Sequence, residues 1–499
     1  MNKQKLMDDL GLKIKQHLQI KIEKNNMNTL ERILAEVKEL NFTEKALQYS
    51  KFKENEEDES KIKVLQKHIQ VICIDELLDI AKKLEHPIVY NQNKSYIYNG
   101  KYWKELDQKE VMNLLNKSTS KMGVKPLDNK FYKFKDELYK QFISTADTLF
   151  HRDNDGAVKI NLLNGTYEFT QGLGRLRDFD KNDFITYQLP FKYDPQAESP
   201  KFQEYLDYVL PDKELQDVIA EYLGYVFLRS GSGSFKAEKM LVLYGEGANG
   251  KSVLFEIVAA MIGKENISNF SLKELTDDNG YNRAMIAGKL LNYCTEIEGK
   301  VGNSYLKKMV SGEPLTARVP HGVPFTVYDI PKIIVNSNIL PKNPENTNGF
   351  FRRFLIVPFT VTVPREKQDK ELHQKIITTE LSGVFNWVQK GLDRLVTNKR
   401  FTHSDIVENA SKKYQITSNN VKLFIEDEEY LKSKDETILL KELYDEYVTY
   451  CYESGYKKLG KVNFSSRLEI EGFQKTKVSK GFAFYMKKKT IPTFFKEHY

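Results

Sequence analysis

A glycine-rich segment that ends in Lys and Ser is the stretch of this sequence best suited to chemistry. From Gly245 to Ser252 the chain reads G-E-G-A-N-G-K-S, which fits the phosphate-binding pattern G-x-x-x-x-G-K-[ST]. Glycines let backbone N–H groups turn towards phosphate oxygens, and a helix start adds partial positive charge. Lys251 would reach the β- and γ-phosphates of a nucleotide, and Ser252 would hold Mg²⁺. The predicted nucleotide-binding residues are Gly245, Gly247, Asn249, Gly250, Lys251 and Ser252.

A second apolar run ends in two carboxylates. The segment "KLLNYCTEIEGK", residues 289–300, is typical of a strand that ends at Glu296 and Glu298. A carboxylate there can bind Mg²⁺ or polarise an attacking water molecule, although such a pair can also mark a strand that enters solvent. Because the glycine-rich loop precedes the pair, we expect a catalytic role, with Glu296 ahead of Glu298 and Glu296 as a metal ligand.

A third strand, "PKIIVNSN", ends in Asn336 and Asn338. An amide at that point can orient a hydrolytic water or sense the γ-phosphate, and otherwise it forms a turn. In "GFFRRFLIVPF", Arg352 and Arg353 interrupt an aromatic run, where unpaired guanidinium groups would be unfavourable. They therefore need anionic partners, which are either the γ-phosphate of a neighbouring subunit or an internal carboxylate.

The elements around these residues indicate an α/β fold. The loop follows the strand "MLVLY" and precedes the helix "SVLFEIVAAMI", the context that a P-loop requires. A chain of 499 residues is too long for one core. We predict a helical appendage over 1–70, an α/β region over 71–192, a helical subdomain and joint over 193–235, an ATPase core over 236–365, motor helices over 366–415 and a DNA-binding unit over 416–499.

The basic character of the chain is concentrated near its C-terminus. The net charge is +7, and residues 457–489 alone carry ten Lys or Arg against two Glu. Aromatic residues interleave with these charges, which favours a nucleic-acid contact over a plain solvated face. Helices followed by two short strands are typical of a winged helix. In that arrangement Arg467 faces the major groove, and the flanking DNA backbone is contacted by Lys475, Lys477 and Lys480.

Composition excludes several other classes. The three cysteines lie far apart, without the spacing of a zinc site or a disulfide framework. No apolar stretch approaches the roughly 20 residues that span a bilayer, and the N-terminus lacks a signal peptide's apolar core. We therefore expect a cytoplasmic protein with buried thiols and no membrane partner.

Together these segments resemble the superfamily 3 helicases of the phage, plasmid and poxvirus primase-helicase type. The similarity runs from about Tyr96 to Lys489 and includes "INLLNGTYEF", "FITYQLPFKYDPQA", "LKKMVSGEPLTARVPHGVPF", "KIIVNSNILP" and "FFRRFLIVPF". The resemblance implies an AAA+ ATPase core that uses ATP and Mg²⁺, assembles as a homohexameric ring and carries a C-terminal winged helix. The residues before Tyr96 are too few for the primase domain that many relatives carry, so we expect none.

Carried over to this sequence, the family pattern also implies individual roles. It assigns Glu296 to the acidic strand, Asn338 to the polar sensor, and Arg352 with Arg353 to an arginine finger. The segment that tracks single-stranded DNA matches Lys307, Lys308, Arg318 and His321. Without the resemblance, His321 would be an ordinary turn residue. Thr295 stands where many motors have a second carboxylate, so the identity of the metal ligand stays open.

The sequence thus predicts an ATP-dependent, ring-forming DNA helicase that initiates replication of a phage, plasmid or other mobile element. It would bind single- and double-stranded DNA and work with a separate primase or polymerase. The alternative is an ATP-switched origin-recognition or helicase-loading protein that does not unwind DNA. Strand displacement on a forked duplex discriminates between them. A metabolic P-loop kinase ranks third, because no second substrate pocket can be identified.

Overall fold

The computed structural model describes residues 28–49, 63–148, 156–170, 172–228, 235–295, 304–320, 322–340 and 348–489. The chain divides into two compact units: the first takes most of the chain up to Leu189, the second runs from Pro190 to Tyr499, and short stretches between residues 156 and 174 belong to the second as well. Among the described helices, none is both long and apolar enough to cross a membrane.

The first unit packs helices against a small antiparallel sheet. Its helices are α1 (Thr29–Glu36), α2 (Phe42–Tyr49), α3 (Gln66–Lys83), α4 (Gln108–Lys121), α5 (Pro126–Lys130) and α6 (Tyr132–Ala146). Strands β1 (Ile88–Asn91), β2 (Lys94–Tyr98) and β3 (Trp103–Leu106) pair in that order. Asn28 and Asp107 begin α1 and α4 with capping boxes, because their side chains accept hydrogen bonds from otherwise unpaired N–H groups.

A second three-stranded sheet follows, formed by β4 (Val158–Leu162), β5 (Gly165–Thr170) and β6 (Leu173–Arg177). The Asn-Gly pairs at 99–100 and 164–165 lie in the turns β2–β3 and β4–β5. Gly100 and Gly165 have positive φ, a conformation that glycine adopts more readily than other residues. The predicted mixed α/β texture of this region is therefore confirmed.

The second unit is built on a five-stranded parallel sheet. Its strands and the hairpin beside it are β7 (Met240–Tyr244), β8 (Ile267–Ser268), β9 (Leu291–Cys294), β10 (Leu315–Ala317), β11 (Phe325–Val327), β12 (Lys332–Ser337) and β13 (Phe354–Pro358). The sheet order is β13-β7-β12-β9-β8, and β10 pairs with β11 in a separate two-stranded sheet. Strands of a parallel sheet that is covered on both faces read as continuous apolar runs, which is why "MLVLY" and "KIIV" indicated strands.

Helices cover this sheet. They are α7 (Pro200–Val209), α8 (Lys213–Tyr225), α9 (Lys251–Ile262), α10 (Leu272–Leu275), α11 (Tyr281–Met285), α12 (Ser304–Val310), α13 (Asn348–Phe351), α14 (Leu372–Thr379), α15 (Leu381–Asn398) and α16 (Asp405–Thr417). The helical character predicted for the segment before the glycine-rich loop is confirmed by α7 and α8. All three cysteines are free and buried, as expected.

The chain ends in a compact domain, hereafter the C-terminal domain (Asn420–Lys488). It comprises α17 (Asn420–Asp427), β14 (Tyr430–Leu439), α18 (Leu440–Glu453), α19 (Lys461–Ile470), β15 (Lys475–Val478) and β16 (Gly481–Lys488). The two predicted strands and the helix "NFSSRLEIEGF" are present. Strand β14 was not predicted, because its sequence is mostly polar and exposed. It pairs antiparallel with β16, with a register irregularity between Lys432 and Thr437.

A buried carboxylate fastens α8 to the segment after α15. Glu221 is fully buried and accepts hydrogen bonds from Arg394 Nε at 3.2 Å and from the backbone N–H of Thr402 at 2.7 Å. Arg394 also pairs with Asp217, whose side chain is 41% exposed. A buried charge that is paired on several sides stabilises the fold only while all its partners remain.

We expect Glu221→Ala to lower the free energy of unfolding by about 2–3 kcal/mol, because it leaves buried donors without an acceptor. The matched control is Asp217→Ala, which removes an exposed carboxylate from the same arginine and should change stability by less than about 1 kcal/mol. Thermal unfolding followed by circular dichroism measures both. Equal effects of the two variants would contradict a specific role for the buried carboxylate.

Candidate active site

The glycine-rich loop (Gly245–Gly250) connects β7 to α9 and is held by close packing. Gly250 immediately precedes α9 with φ +87°, a conformation that residues with a Cβ rarely adopt. A Cβ on Gly250 would lie 2.8 Å from Val209 Cγ1, and one on Gly245 would lie 2.4 Å from the carbonyl oxygen of Phe359. Gly247, in contrast, has no neighbour within 4 Å of such a Cβ among the residues that the structure describes.

Lys251 is buried and held by three acceptors. Its residue is 4% exposed, and Nζ donates to the carbonyl oxygens of Gly245 at 2.7 Å and Glu246 at 3.0 Å and to Asn249 Oδ1 at 2.9 Å. Burial lowers the pKa of Lys251 below its usual value. Since an ammonium has three donors, the loop satisfies all of them. The result is a cation fixed at the start of a helix, an arrangement that binds anions.

Tyr205 supports the loop from α7. Its hydroxyl donates to the carbonyl oxygen of Gly250 at 2.8 Å, and burial raises the pKa of Tyr205, so the group stays a protonated donor. Sequence reasoning missed this residue. In "FQEYLDYVL" it matches the apolar face of a helix, and its partner lies 45 residues further along the chain.

The loop opens into a large pocket of about 2220 Å³. Ligand pockets commonly measure about 300–1,000 Å³, so this one exceeds the needs of a single nucleotide. Aromatic and aliphatic side chains from α7 and from the segment after β13 line one part of it, namely Tyr205, Tyr208, Val209, Val363 and Leu372. Ser252, which is exposed, lines it beside Lys251 and is available to a metal ion.

Polar groups from two strand ends lie in the same pocket. Strand β12 is central, with Ser337 opposite Tyr244 of β7 and Val335 opposite Cys294 of β9. Asn336, Asn338 and Thr295 therefore line the pocket next to the loop. Asn336 lines the pocket just as Asn338, the predicted sensor of the γ-phosphate, does. Glu296 and Glu298 lie outside the described residues, so their roles stay predictions.

Arg352 and Arg353 lie at the opposite edge of the sheet. They precede β13, whose Phe354 pairs with Met240 at the start of β7, whereas the loop follows the end of β7. Arg352 is 2.6 Å from a Glu238 carboxylate oxygen, and Arg353 lies 3.9 Å from the same oxygen. The internal salt bridge considered from the sequence therefore exists. Arg353 Nε is buried and has no hydrogen-bond partner within the described ranges.

The segment matched to DNA tracking contains a β-hairpin. Strands β10 and β11 pair antiparallel, with Leu315 opposite Val327. The connecting loop carries Arg318, which is exposed and donates from Nε to the carbonyl oxygen of Gly322 at 3.2 Å. On the preceding helix Lys308 is exposed and Lys307 is half-buried. His321 lies outside the described residues.

The predicted DNA-contacting residues of the C-terminal domain divide into two groups. Lys477 and Lys480 are exposed at the β15–β16 turn, and Lys475 lies 3.3 Å from Glu469. Arg467 on α19 is half-buried and lines the pocket that contains Lys251. Sequence reasoning did not predict that this helix faces the pocket.

Comparison with known protein families supports the resemblance. The family described as "D5 N terminal like" matches residues 63–211, and the "Family of unknown function (DUF5906)" matches residues 243–353, which include the glycine-rich loop. The "Putative helicase L207/L206" of Acanthamoeba polyphaga mimivirus is 27% identical over 259 residues, which are 47% of this chain and 25% of that protein. The chain thus spans about a quarter of the length of this curated relative.

Solved structures aligned with the chain include "The A form apo structure of NrS-1 C terminal region-CTR", with a TM-score of 0.47 and 13% identity over 82% of this chain and 97% of that chain. A second, of "NrS-1 C terminal region-CTR(305-718)", has a TM-score of 0.44 at 13% identity and covers 82% and 98% of the two chains. The family matches and the mimivirus relative fit a phage-type superfamily 3 helicase. The resemblance inferred from the motifs is confirmed at this level.

We expect Lys251→Ala to lower ATP hydrolysis by at least about 100-fold, because the lysine charge acts where phosphate charge accumulates. Lys264→Ala is the matched control: it removes an exposed lysine just beyond the other end of α9 and should leave turnover unchanged. Phosphate release measures both. Normal ATP turnover in a folded Lys251→Ala protein would show that the loop is not part of the catalytic site.

Proposed function

We propose that the protein is an ATP-dependent, ring-forming replicative DNA helicase of a phage, plasmid or other mobile element, and that it translocates on single-stranded DNA. The observation that carries this proposal is the placement of Lys251, Ser252, Thr295 and Asn336 in one pocket at the same edge of a parallel sheet. A phosphate-binding loop beside the polar end of a central strand is the arrangement that nucleotide hydrolysis needs.

In this proposal residues 236–365 form an AAA+ P-loop core. Backbone N–H groups of the loop and Lys251 bind the phosphates of ATP, and Ser252 with Glu296 holds Mg²⁺, which neutralises charge on the β- and γ-phosphates. Glu296 or Glu298 polarises the attacking water, and Asn338 senses the γ-phosphate. The donor set fits because it combines a buried cation, an exposed hydroxyl and amide oxygens, which suit phosphate and Mg²⁺.

In a homohexamer, a conformational change caused by nucleotide binding in one subunit would be transmitted to the DNA through the interface with the next subunit. Arg352 and Arg353 cannot reach their own loop across the sheet, which supports a role towards a neighbour's γ-phosphate. The β10–β11 hairpin and α12 would present Lys307, Lys308, Arg318 and His321 to single-stranded DNA in the pore. In such a ring, nucleotide binding would shift the interface between two subunits from one arrangement to the other.

The C-terminal domain would act as a winged helix that binds duplex DNA. Its element order, helix, strand, two helices and two strands, supports this assignment, with α19 as the recognition helix and the β15–β16 turn as the wing. Lys475, Lys477 and Lys480 would contact the DNA backbone. The same domain favours the second candidate function, an ATP-switched origin-binding or helicase-loading protein. A separate primase or polymerase would complete the replication machinery.

Strand displacement on a forked duplex with ATP and Mg²⁺ tests the proposal. The wild-type protein should separate the strands, and the double variant Lys308→Ala, His321→Ala should hydrolyse ATP but not separate them, because these side chains would grip DNA and not nucleotide. Lys273→Ala, which removes an exposed lysine of α10, is the control. Wild-type protein that hydrolyses ATP and binds duplex without displacing strands would support the loading protein instead.

The arginine pair gives a separate prediction. Arg352→Ala should lower ATP hydrolysis by about 10²-fold or more, given what arginine fingers contribute, and mixed assemblies with wild type should lose more activity than dilution explains. Glu238→Gln is the informative control, because it breaks the internal ion pair and leaves both arginines in place. If the arginines serve only the ion pair with Glu238, Arg352→Ala and Glu238→Gln will lower thermal stability equally. The activity of mixed assemblies will then fall only in proportion to the fraction of variant subunits.

A further inference from the structure

The C-terminal domain forms part of the wall of the pocket that contains Lys251. Three of its segments reach the pocket: the start of α17, with Asn419 immediately before it, the connection between α18 and α19, and α19 itself. The second segment contributes Lys457, Lys458 and Gly460, and α19 itself contributes Arg467. Three cationic side chains of this domain therefore line the same cavity as the glycine-rich loop.

The two lysines of this wall differ in their carboxylate partners from the lysines at the end of β16. Along β16 and the residue after it, Lys487, Lys488 and Lys489 lie within 3.4 Å of Glu436, Glu428 and Glu429 respectively. Lys457 and Lys458 are exposed, and within the described part of the chain neither has a carboxylate partner. The lysines at the end of β16 are thus paired with carboxylates, whereas Lys457 and Lys458 line the pocket.

The pocket as a whole is suited to an anion. Its lining includes eight Lys or Arg residues but only three Asp or Glu residues. Two of the three acids are already paired, Asp207 with Lys213 and Asp369 with Lys375. A cavity with a surplus of one charge concentrates ligands of the opposite charge.

Buried amides hold the cationic segment in place. Asn420 is 5% exposed and donates from Nδ2 to the carbonyl oxygen of Lys457 at 3.0 Å. Asn419, 7% exposed, accepts from the backbone N–H of Lys422 and donates to a Glu471 oxygen at 2.7 Å, which connects the start of α17 to the end of α19. Buried, satisfied polar groups of this kind fix geometry, so the backbone that carries Lys457 is held at the pocket wall.

The helix before the buried asparagines packs in turn on the start of β13. Tyr414 of α16 has its ring centroid 5.4 Å from that of Phe351 and 5.6 Å from that of Phe354 at the start of β13. Helix α16 ends at Thr417, directly before the buried asparagines. The sheet that carries the glycine-rich loop therefore also anchors the segment that leads to Lys457.

We propose that Lys457, Lys458 and Arg467 contact the phosphates of the nucleotide bound at the glycine-rich loop, so that the C-terminal domain is the second wall of the nucleotide site. This inference rests on the proposed nucleotide site at Lys251. It gives Arg467 a partner other than DNA. Because one side chain cannot contact both ligands at once, nucleotide and duplex DNA compete for this domain, and by linkage each weakens the binding of the other by the same factor.

The test measures binding of a fluorescent, non-hydrolysable ATP analogue and of the matching AMP analogue to the full chain. Arg467→Ala and the double variant Lys457→Ala, Lys458→Ala should each raise Kd for the ATP analogue about tenfold, the scale of one charge-assisted contact, and leave Kd for the AMP analogue within about twofold. Arg467→Lys should recover part of the affinity. The matched control is Lys434→Ala, Lys441→Ala, which removes two exposed lysines of the same domain that do not line the pocket.

A second arm adds a short DNA duplex. In the wild type, duplex should raise Kd for the ATP analogue, and this coupling should disappear in Arg467→Ala. Unchanged affinity for the ATP analogue in both cation variants, with duplex binding weakened, would overturn the inference and leave these residues to DNA alone. Equal loss for the ATP and AMP analogues would also overturn it, since that indicates a structural effect. If Lys251→Ala does not weaken nucleotide binding, the proposed nucleotide site at the glycine-rich loop is itself contradicted.

Discussion

The buried ammonium group of Lys251 is the constraint on which the rest of the site depends. A charge with so little exposure must find hydrogen-bond acceptors, and here the loop supplies them by wrapping its own carbonyl groups around Nζ. That wrapping requires Gly250 in the left-handed region and leaves no space for a Cβ against Val209. Helix α7 therefore positions the loop as directly as β7 does. In the proposed function, phosphate oxygens that entered the loop would replace neutral acceptors with charged ones, which strengthens the hydrogen bonds of the same cation.

Sheet order gives the second unit two chemically different edges. Since β12 lies between β7 and β9, its terminal amides come beside the loop, and the end of β9 lies one strand further away. The residues before β13 lie at the other edge, where Glu238 holds Arg352. If the pocket binds nucleotide as we propose, a subunit with exposed arginine at the opposite edge would complete a neighbour's site but not its own. This polarity is what a closed ring of identical, head-to-tail subunits requires.

Sequence reasoning succeeded where structure is set locally. The loop and the strands β7, β9 and β12 all follow from residues close together in the chain. It failed where distant segments meet. The Tyr205 hydroxyl reaches Gly250, Glu238 reaches Arg352, and Arg467 faces the pocket, and periodicity contains no information about any of these. Strand β14 was missed for a related reason: its polar sequence forms a strand only because β16 offers a partner, and β-propensity depends on such context.

The aromatic cluster at the start of β13 connects the two edges of the unit to the C-terminal domain. Phe351 and Phe354 flank the arginine pair in sequence, and both pack on Tyr414. A change in the position of Arg352 would therefore act on α16 through one layer of side chains. Close-packed aromatic groups transmit such shifts because they cannot deform without clashes. Helix α16 leads directly to Asn419 and Asn420, which hold the wall of the subunit's own pocket. In the proposed function, the residues that would face a neighbouring subunit and those that would close the subunit's own nucleotide site are thus parts of one packed structure. A ring built from it would couple adjacent sites without further elements.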